Sequence, residues 1–117
     1  MTIYNHALDV QKTDVEMGFQ FYLEVIRLDP RYSDPYKQIA WILSQWNRND
    51  QKERVEEHWE QFLRFVNQKI TRKFLLKEGL QKLMGDPEFK RKISISVQRR
   101  FETLEKSINI DKKETGE

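Results

Sequence analysis

Two prolines five residues apart, Pro30 and Pro35 in LDPRYSDPYKQIAWIL (residues 28–43), constrain this chain more than any other feature. Proline disfavours helical geometry in the residue before it, so a helix arriving at Leu28 and Asp29 must stop. Proline also suits the first position of a helix, where its missing N–H costs nothing, and Asp34 beside it is placed to cap free amides. One helix therefore ends and the next begins within a few residues. A connection that short sets the two helices side by side and antiparallel.

The flanking patterns agree. Thr13-Asp14-Val15-Glu16 fits a capping box with the Thr13 hydroxyl as cap, and Val15, Phe19, Tyr22, Val25 and Ile26 line one stripe of the helix it opens. After Pro35, Tyr36, Ile39, Ala40, Leu43 and Trp46 share a face. Asp50 with Glu53 repeats the capping spacing ahead of Val55, Trp59, Phe62, Leu63 and Val66. Four glycines and three prolines in 117 residues leave little room for β-turns, and the apolar period is near 3.6 throughout. The chain reads as all-α.

The two helices that precede these turns form an internal repeat: Gly18, Tyr22, Val25 and Leu28 stand 37 residues ahead of Val55, Trp59, Phe62 and Phe65. Over residues 15–66 the chain resembles the tetratricopeptide repeat family, a helix-turn-helix unit with aromatic, small and proline positions at fixed offsets. Tyr36, Ile39, Ala40 and Leu43 stand at the large, aliphatic, small and large positions of its first helix, and Leu28-Asp29-Pro30 resembles its closing turn. Val55 where a small residue is usual, a longer loop after Trp46 and Asn67 in place of the terminating proline depart from the pattern. The resemblance implies about three antiparallel hairpins stacked as a short right-handed superhelix.

A third hairpin is predicted from turn chemistry. Phe74, Leu75, Leu76, Leu80, Leu83 and Met84 lead to Gly85-Asp86-Pro87, a stop and a start signal together. Phe89, Ile93, Val97, Phe101, Leu104 and Ile108 then continue one stripe, so a single helix is expected over 87–108, with Ile95 pointing away from it. The expected helices span 3–11, 14–28, 35–47, 51–68, 71–84 and 87–108, one domain over 1–110. Residues 111–117 lack large apolar side chains and are expected as a disordered polar tail.

Catalysis has little to stand on. No cysteine is present, His6 and His58 lie far apart, no glycine-rich loop precedes a helix, and Glu56 and Glu57 point about 100° apart on a helix. No enzyme, metal site or cofactor is expected. No apolar run approaches the roughly 20 residues that span a bilayer, and no apolar segment follows the N-terminus, so no membrane contact is expected. A cysteine-free chain fits a reducing compartment, and a cytoplasmic protein is expected.

Binding has more support, because stacked hairpins expose a concave face formed by the first helix of each pair. The resemblance places Lys37, Gln38, Trp41 and Gln45 on that face, with Phe74, Glu78 and Lys82 from the third hairpin. Lys37 and Gln38 suit an acidic group and Trp41 an apolar anchor, so the expected partner is another protein or peptide segment held by a small scaffold or adaptor. The alternative is nucleic acid: residues 1–63 sum to −4 and residues 64–108 to +7. Lys69, Arg72, Lys73, Lys90, Arg91, Lys92, Arg99 and Arg100 are the candidate phosphate contacts. Self-association is a third possibility, since a short array leaves two end faces.

Overall fold

The computed structural model describes residues 2–67 and 73–114, with side chains over 3–67 and 76–108. These residues form seven α-helices and no strand: α1 (Thr2–Gln11), α2 (Val15–Leu28), α3 (Asp34–Arg48), α4 (Lys52–Asn67), α5 (Lys73–Met84), α6 (Pro87–Lys92) and α7 (Ile95–Glu114). None of the described helices is long and apolar enough to cross a membrane.

The double-proline turn is a packed corner. Pro30 is buried, and its carbonyl accepts a 2.7 Å hydrogen bond from the buried Tyr36 hydroxyl. Gly79 of α5 rests on the same corner, where an added Cβ would lie 2.7 Å from the Pro30 oxygen and 2.8 Å from the Tyr36 ring. Only a residue without a side chain lets α5 approach this closely.

The direction of each helix follows from which residues meet. Gln11 lies against Gly18 and His6 against Phe21, so α1 and α2 are antiparallel. The amides of Gln20 and Gln61 exchange hydrogen bonds at 3.0 and 2.7 Å, and Glu16 meets Arg54 and His58, so α2 and α4 run parallel. Arg48 holds the Lys92 carbonyl at the turn before α4, and further on Arg100 pairs with Glu56 and Phe101 contacts Trp59 and Phe62, so α7 runs parallel to α4. The predicted core residues Tyr22, Ile39, Ala40, Leu43, Trp59 and Phe62 are all buried.

The third hairpin departs from expectation. The single helix predicted over 87–108 is broken at Ile93, whose backbone is extended, and α7 begins at Ile95. Asp86 lies near Lys37 and Ser94 near Ser44, so the segment from Asp86 to Ser94 still travels along α3 in the same direction. At Gly85-Asp86-Pro87 the chain bends; it reverses one short helix later. Contacts from α3 hold the break: the Ser94 N–H donates to the buried Ser44 hydroxyl at 3.0 Å, and Arg48 donates to the Lys92 carbonyl at 2.8 Å. The free polar groups at the α6–α7 junction thus find partners 50 and 44 residues away. At its far end α7 is helical through Glu114, four residues into the span expected as a tail.

Three predicted caps also shift. Asp14, not Thr13, caps α2, accepting from the Met17 N–H at 3.0 Å, while the Thr13 hydroxyl donates back to the Val10 carbonyl. Ser33 occupies the α3 cap position without a side-chain bond, and Asp34 is already helical. Asp50 closes α3 instead of opening α4. It sits at φ 59° while Gln51 N–H donates to the Trp46 carbonyl and Asp50 N–H to that of Asn47, the paired bonds of a Schellman ending.

Candidate functional site

The side chains expected to bind a partner occupy one exposed arc of α3, because steps of three, four and seven residues return to the same helix face. Lys37 is half-buried and bridges two helix starts: its Nζ lies 3.9 Å from Asp34 and 3.5 Å from Asp86. Desolvation works to raise the Asp86 carboxyl, but the Phe89 and Glu88 amides and the Lys37 ammonium outweigh it and hold the group below the usual carboxylate range. Lys37 therefore already serves an acid within the chain.

Gln38 faces α1, its amide 3.5 Å from the Tyr4 hydroxyl, and closes a groove of about 570 Å³ whose other walls are Asn5, Leu8, Asp9, Gln11 and Lys12. Trp41 follows one turn later and is 38% exposed, although most other tryptophan and aliphatic side chains of α3 are buried. The Arg48 guanidinium lies 5.9 Å from the Trp41 ring, within cation–π range. Gln45 is half-buried between them in sequence. Lys82 and Glu78 are exposed on α5. The Phe74 side chain lies outside the described residues.

Arg48 and the α1 wall escaped the sequence reading. Arg48 stands seven residues after Trp41, which is a legible helical spacing, but the helix was expected to end at 47. The α1 residues carry no local sign that they would face Gln38.

The basic residues of the alternative are divided. Lys90, Arg91 and Lys92 belong to α6, Arg99 and Arg100 to α7, and the Ile93–Ser94 break separates the groups. Lys92 pairs with Glu88 at 3.7 Å and Arg100 with Glu56, while Arg99 is exposed. Lys69 and Arg72, and the Lys73 side chain, lie outside the described residues. A second groove of about 500 Å³ runs between α4 and α7, lined by the apolar Trp59, Leu63 and Leu104 and by the polar Arg99, Thr103 and Ser107 among others.

Buried polar chemistry concentrates between α2 and α4. His58 is enclosed by Trp46 and Phe19, with ring centroids at 4.5 and 5.1 Å, and Arg54 stacks on the other side of the network at 4.1 Å from the Trp46 ring. Burial acts to raise the Glu16 carboxyl, yet hydrogen bonds and charge from His58 and Arg54 bring it below its ordinary value. The network ties α2 to α4, and of its members Arg54 also lines a shallow groove with Gln51, Glu53 and Glu57. Among the described residues, no group of three histidine or carboxylate side chains is arranged to hold a metal ion.

No protein-family model matches this chain, and comparison with curated proteins and with solved structures finds no match.

Proposed function

We propose that the chain is a small protein-interaction module of the tetratricopeptide-like kind, a scaffold or adaptor that holds a segment of a partner protein along α3. The observation that carries this reading is Trp41, a large aromatic side chain left open beside the Gln38 groove and flanked by Arg48. An exposed tryptophan with long polar neighbours combines area burial with directed hydrogen bonds, the usual make-up of an interface anchor. The parallel run of α2, α4 and α7 supports a stacked-hairpin scaffold with the α3 face available. Nucleic acid is the weaker reading, because Lys92 and Arg100 of the basic half are engaged by carboxylates.

The test places a photo-crosslinking residue at Gln45 and, separately, at Arg99 of the full chain, in extract with and without nuclease. The reading expects a discrete protein adduct from Gln45 that resists nuclease and disappears in Trp41→Ala, with far-UV circular dichroism showing that the variant is folded. Adducts from Arg99 alone, lost with nuclease or high salt, overturn it in favour of nucleic acid.

A further inference from the structure

The groove between α1 and α3 is walled chiefly by amides. Asn5, Gln11 and Gln38 are carboxamides, Leu8 is the one wholly apolar side chain of the lining, and Asp9 and Lys12 are its charges. Those charges answer each other, with Lys12 Nζ 3.6 Å from Asp9 across one turn of α1. Beside the groove Lys37 is bridged to Asp34 and Asp86, and Arg48, beyond Trp41, is engaged by the Lys92 carbonyl and the indole ring. An acidic group or a phosphate that approaches either lysine also meets a carboxylate of this chain. Charge therefore selects neither an acidic partner nor a nucleic acid here.

The amides, by contrast, keep hydrogen-bonding groups without a use. The Tyr22 hydroxyl donates to the Gln11 oxygen, so the Gln11 NH₂ is the end that has no partner among the described residues. Gln38 makes one long bond, 3.5 Å from Nε2 to the Tyr4 hydroxyl, and its oxygen accepts from none of the described residues. The exposed Asn5 side chain bonds none of them either. A carboxamide carries the same donor and acceptor as a peptide group, so a wall of amides matches a peptide backbone.

The lining also discriminates between backbone conformations. A helix bonds its own N–H and C=O groups and docks through an apolar face, for which a single leucine is too small a floor. An extended chain leaves its backbone groups open. Asn5 and Gln11 are six residues apart on α1, a rise of about 9 Å, which matches about three residues of extended chain. Trp41 lies one helical turn beyond Gln38, where the next side chain of such a segment can rest on it.

We infer, on the reading that α3 holds a partner protein, that this groove takes an uncharged, extended segment of the partner, held by its backbone through Asn5, Gln11 and Gln38 while one apolar side chain lies on Trp41. The segment is internal to its protein, because no cation of the groove is left to receive a terminal carboxylate.

Selection against the intact chain from a library of random peptides, fused at both ends so that no terminal carboxylate is offered, tests this. The selected peptides are expected to be poor in charged residues, to share an aliphatic or aromatic position, and to bind within about twofold equally at about 50 and about 500 mM salt. Methylating their backbone nitrogens one at a time weakens binding about tenfold or more at one or two positions, as loss of a hydrogen bond with a stranded acceptor requires, while alanine at those positions does not. Asn5→Ala with Gln38→Ala brings a comparable loss, and Trp41→Ala a larger one, with thermal unfolding showing that each variant is folded. Peptides that need Trp41 but are acidic and salt-sensitive, or that ignore both the methylations and the Asn5 and Gln38 changes, overturn this inference and leave the α3 reading standing. Peptides that bind Trp41→Ala as well as they bind the wild-type chain overturn both. A library that yields no binder overturns this inference.

Discussion

His58 Nε2 lies 2.7 Å from Glu16 Oε2 while its Nδ1 lies 2.7 Å from the Arg54 carbonyl, so one ring spans a carboxylate of α2 and the backbone of its own helix α4. The relationship joins α2 to α4 across 42 residues of sequence, inside a box formed by Trp46 and Phe19. Arg54 donates to the other Glu16 oxygen at 3.0 and 3.2 Å, which leaves the carboxylate as the shared acceptor of the seam.

A pH dependence follows from that acceptor. The Glu16 carboxyl is lowered in the folded chain, so its contribution is fully present above its unfolded value of about 4.3 and is lost as pH falls through the lower folded value. Half-exposure and screening limit the contribution to on the order of 1 kcal/mol. Denaturant unfolding at a series of pH values is expected to show stability falling as the pH drops below about 5. Glu16→Gln is expected to be less stable at neutral pH and to show a smaller fall over that window. An unchanged slope in Glu16→Gln counts against the seam.

Gly79→Ala is expected to destabilise the chain by about 1–3 kcal/mol, the cost of overpacking a closed contact. The added methyl meets the Pro30 carbonyl at 2.7 Å and a buried tyrosine ring, neither of which swings aside. Gly85→Ala provides the comparison, since its nearest neighbour stands at 3.3 Å and its backbone φ is not in the left-handed region. Equal urea midpoints for the two variants would show that α5 does not rest on the proline corner.

Asp50→Gly is expected to stabilise. Asp50 holds the left-handed position of the α3 ending, which glycine adopts without the steric cost of a Cβ, so a gain of about 0.5–1 kcal/mol is anticipated. Had Asp50 capped α4, as its spacing from Glu53 suggests, the same substitution would leave stability unchanged or lower it. The sign of the change in melting temperature separates the two roles.

Ser44→Ala removes the acceptor of the Ser94 N–H and is expected to cost about 1–3 kcal/mol by leaving that amide without its partner. Hydrogen exchange gives the sharper reading. The Ser94 amide should exchange much faster in the variant, while amides within α2 change little. Uniform loss of protection along the chain would place the effect in global unfolding instead of the α6–α7 break.

Much of the fold is written locally in the sequence. Pro30 and Pro35 stop one helix and start the next through the sterics of single residues, and the stripes of α2, α3 and α4 follow from a period of 3.6. Tyr22, Ala40 and Phe62 could be assigned to the core because an amphipathic helix has only one face to bury. The choice of Lys37, Gln38, Trp41 and Gln45 rests on the tetratricopeptide resemblance, and of the four only Trp41 is exposed while the others are half-buried.

Other features depended on partners far along the chain. Ile93 continues the helical stripe of Phe89 and Val97 and is buried with them, yet the helix breaks there because Ser44 and Arg48 of α3 bond the interrupted backbone. Nothing near Ile93 in sequence carries that information. Asp50 is suited both to capping α4 and to ending α3, and the backbone bonds to Trp46 and Asn47 decide between them. Lys37 looks free on its helix until α6 brings Asp86 within 3.5 Å. Periodicity states which face of a helix is buried, because that is a property of the helix alone. What the face meets, and which exposed side chains remain open to a partner, is set by contacts between helices that only the folded chain brings together.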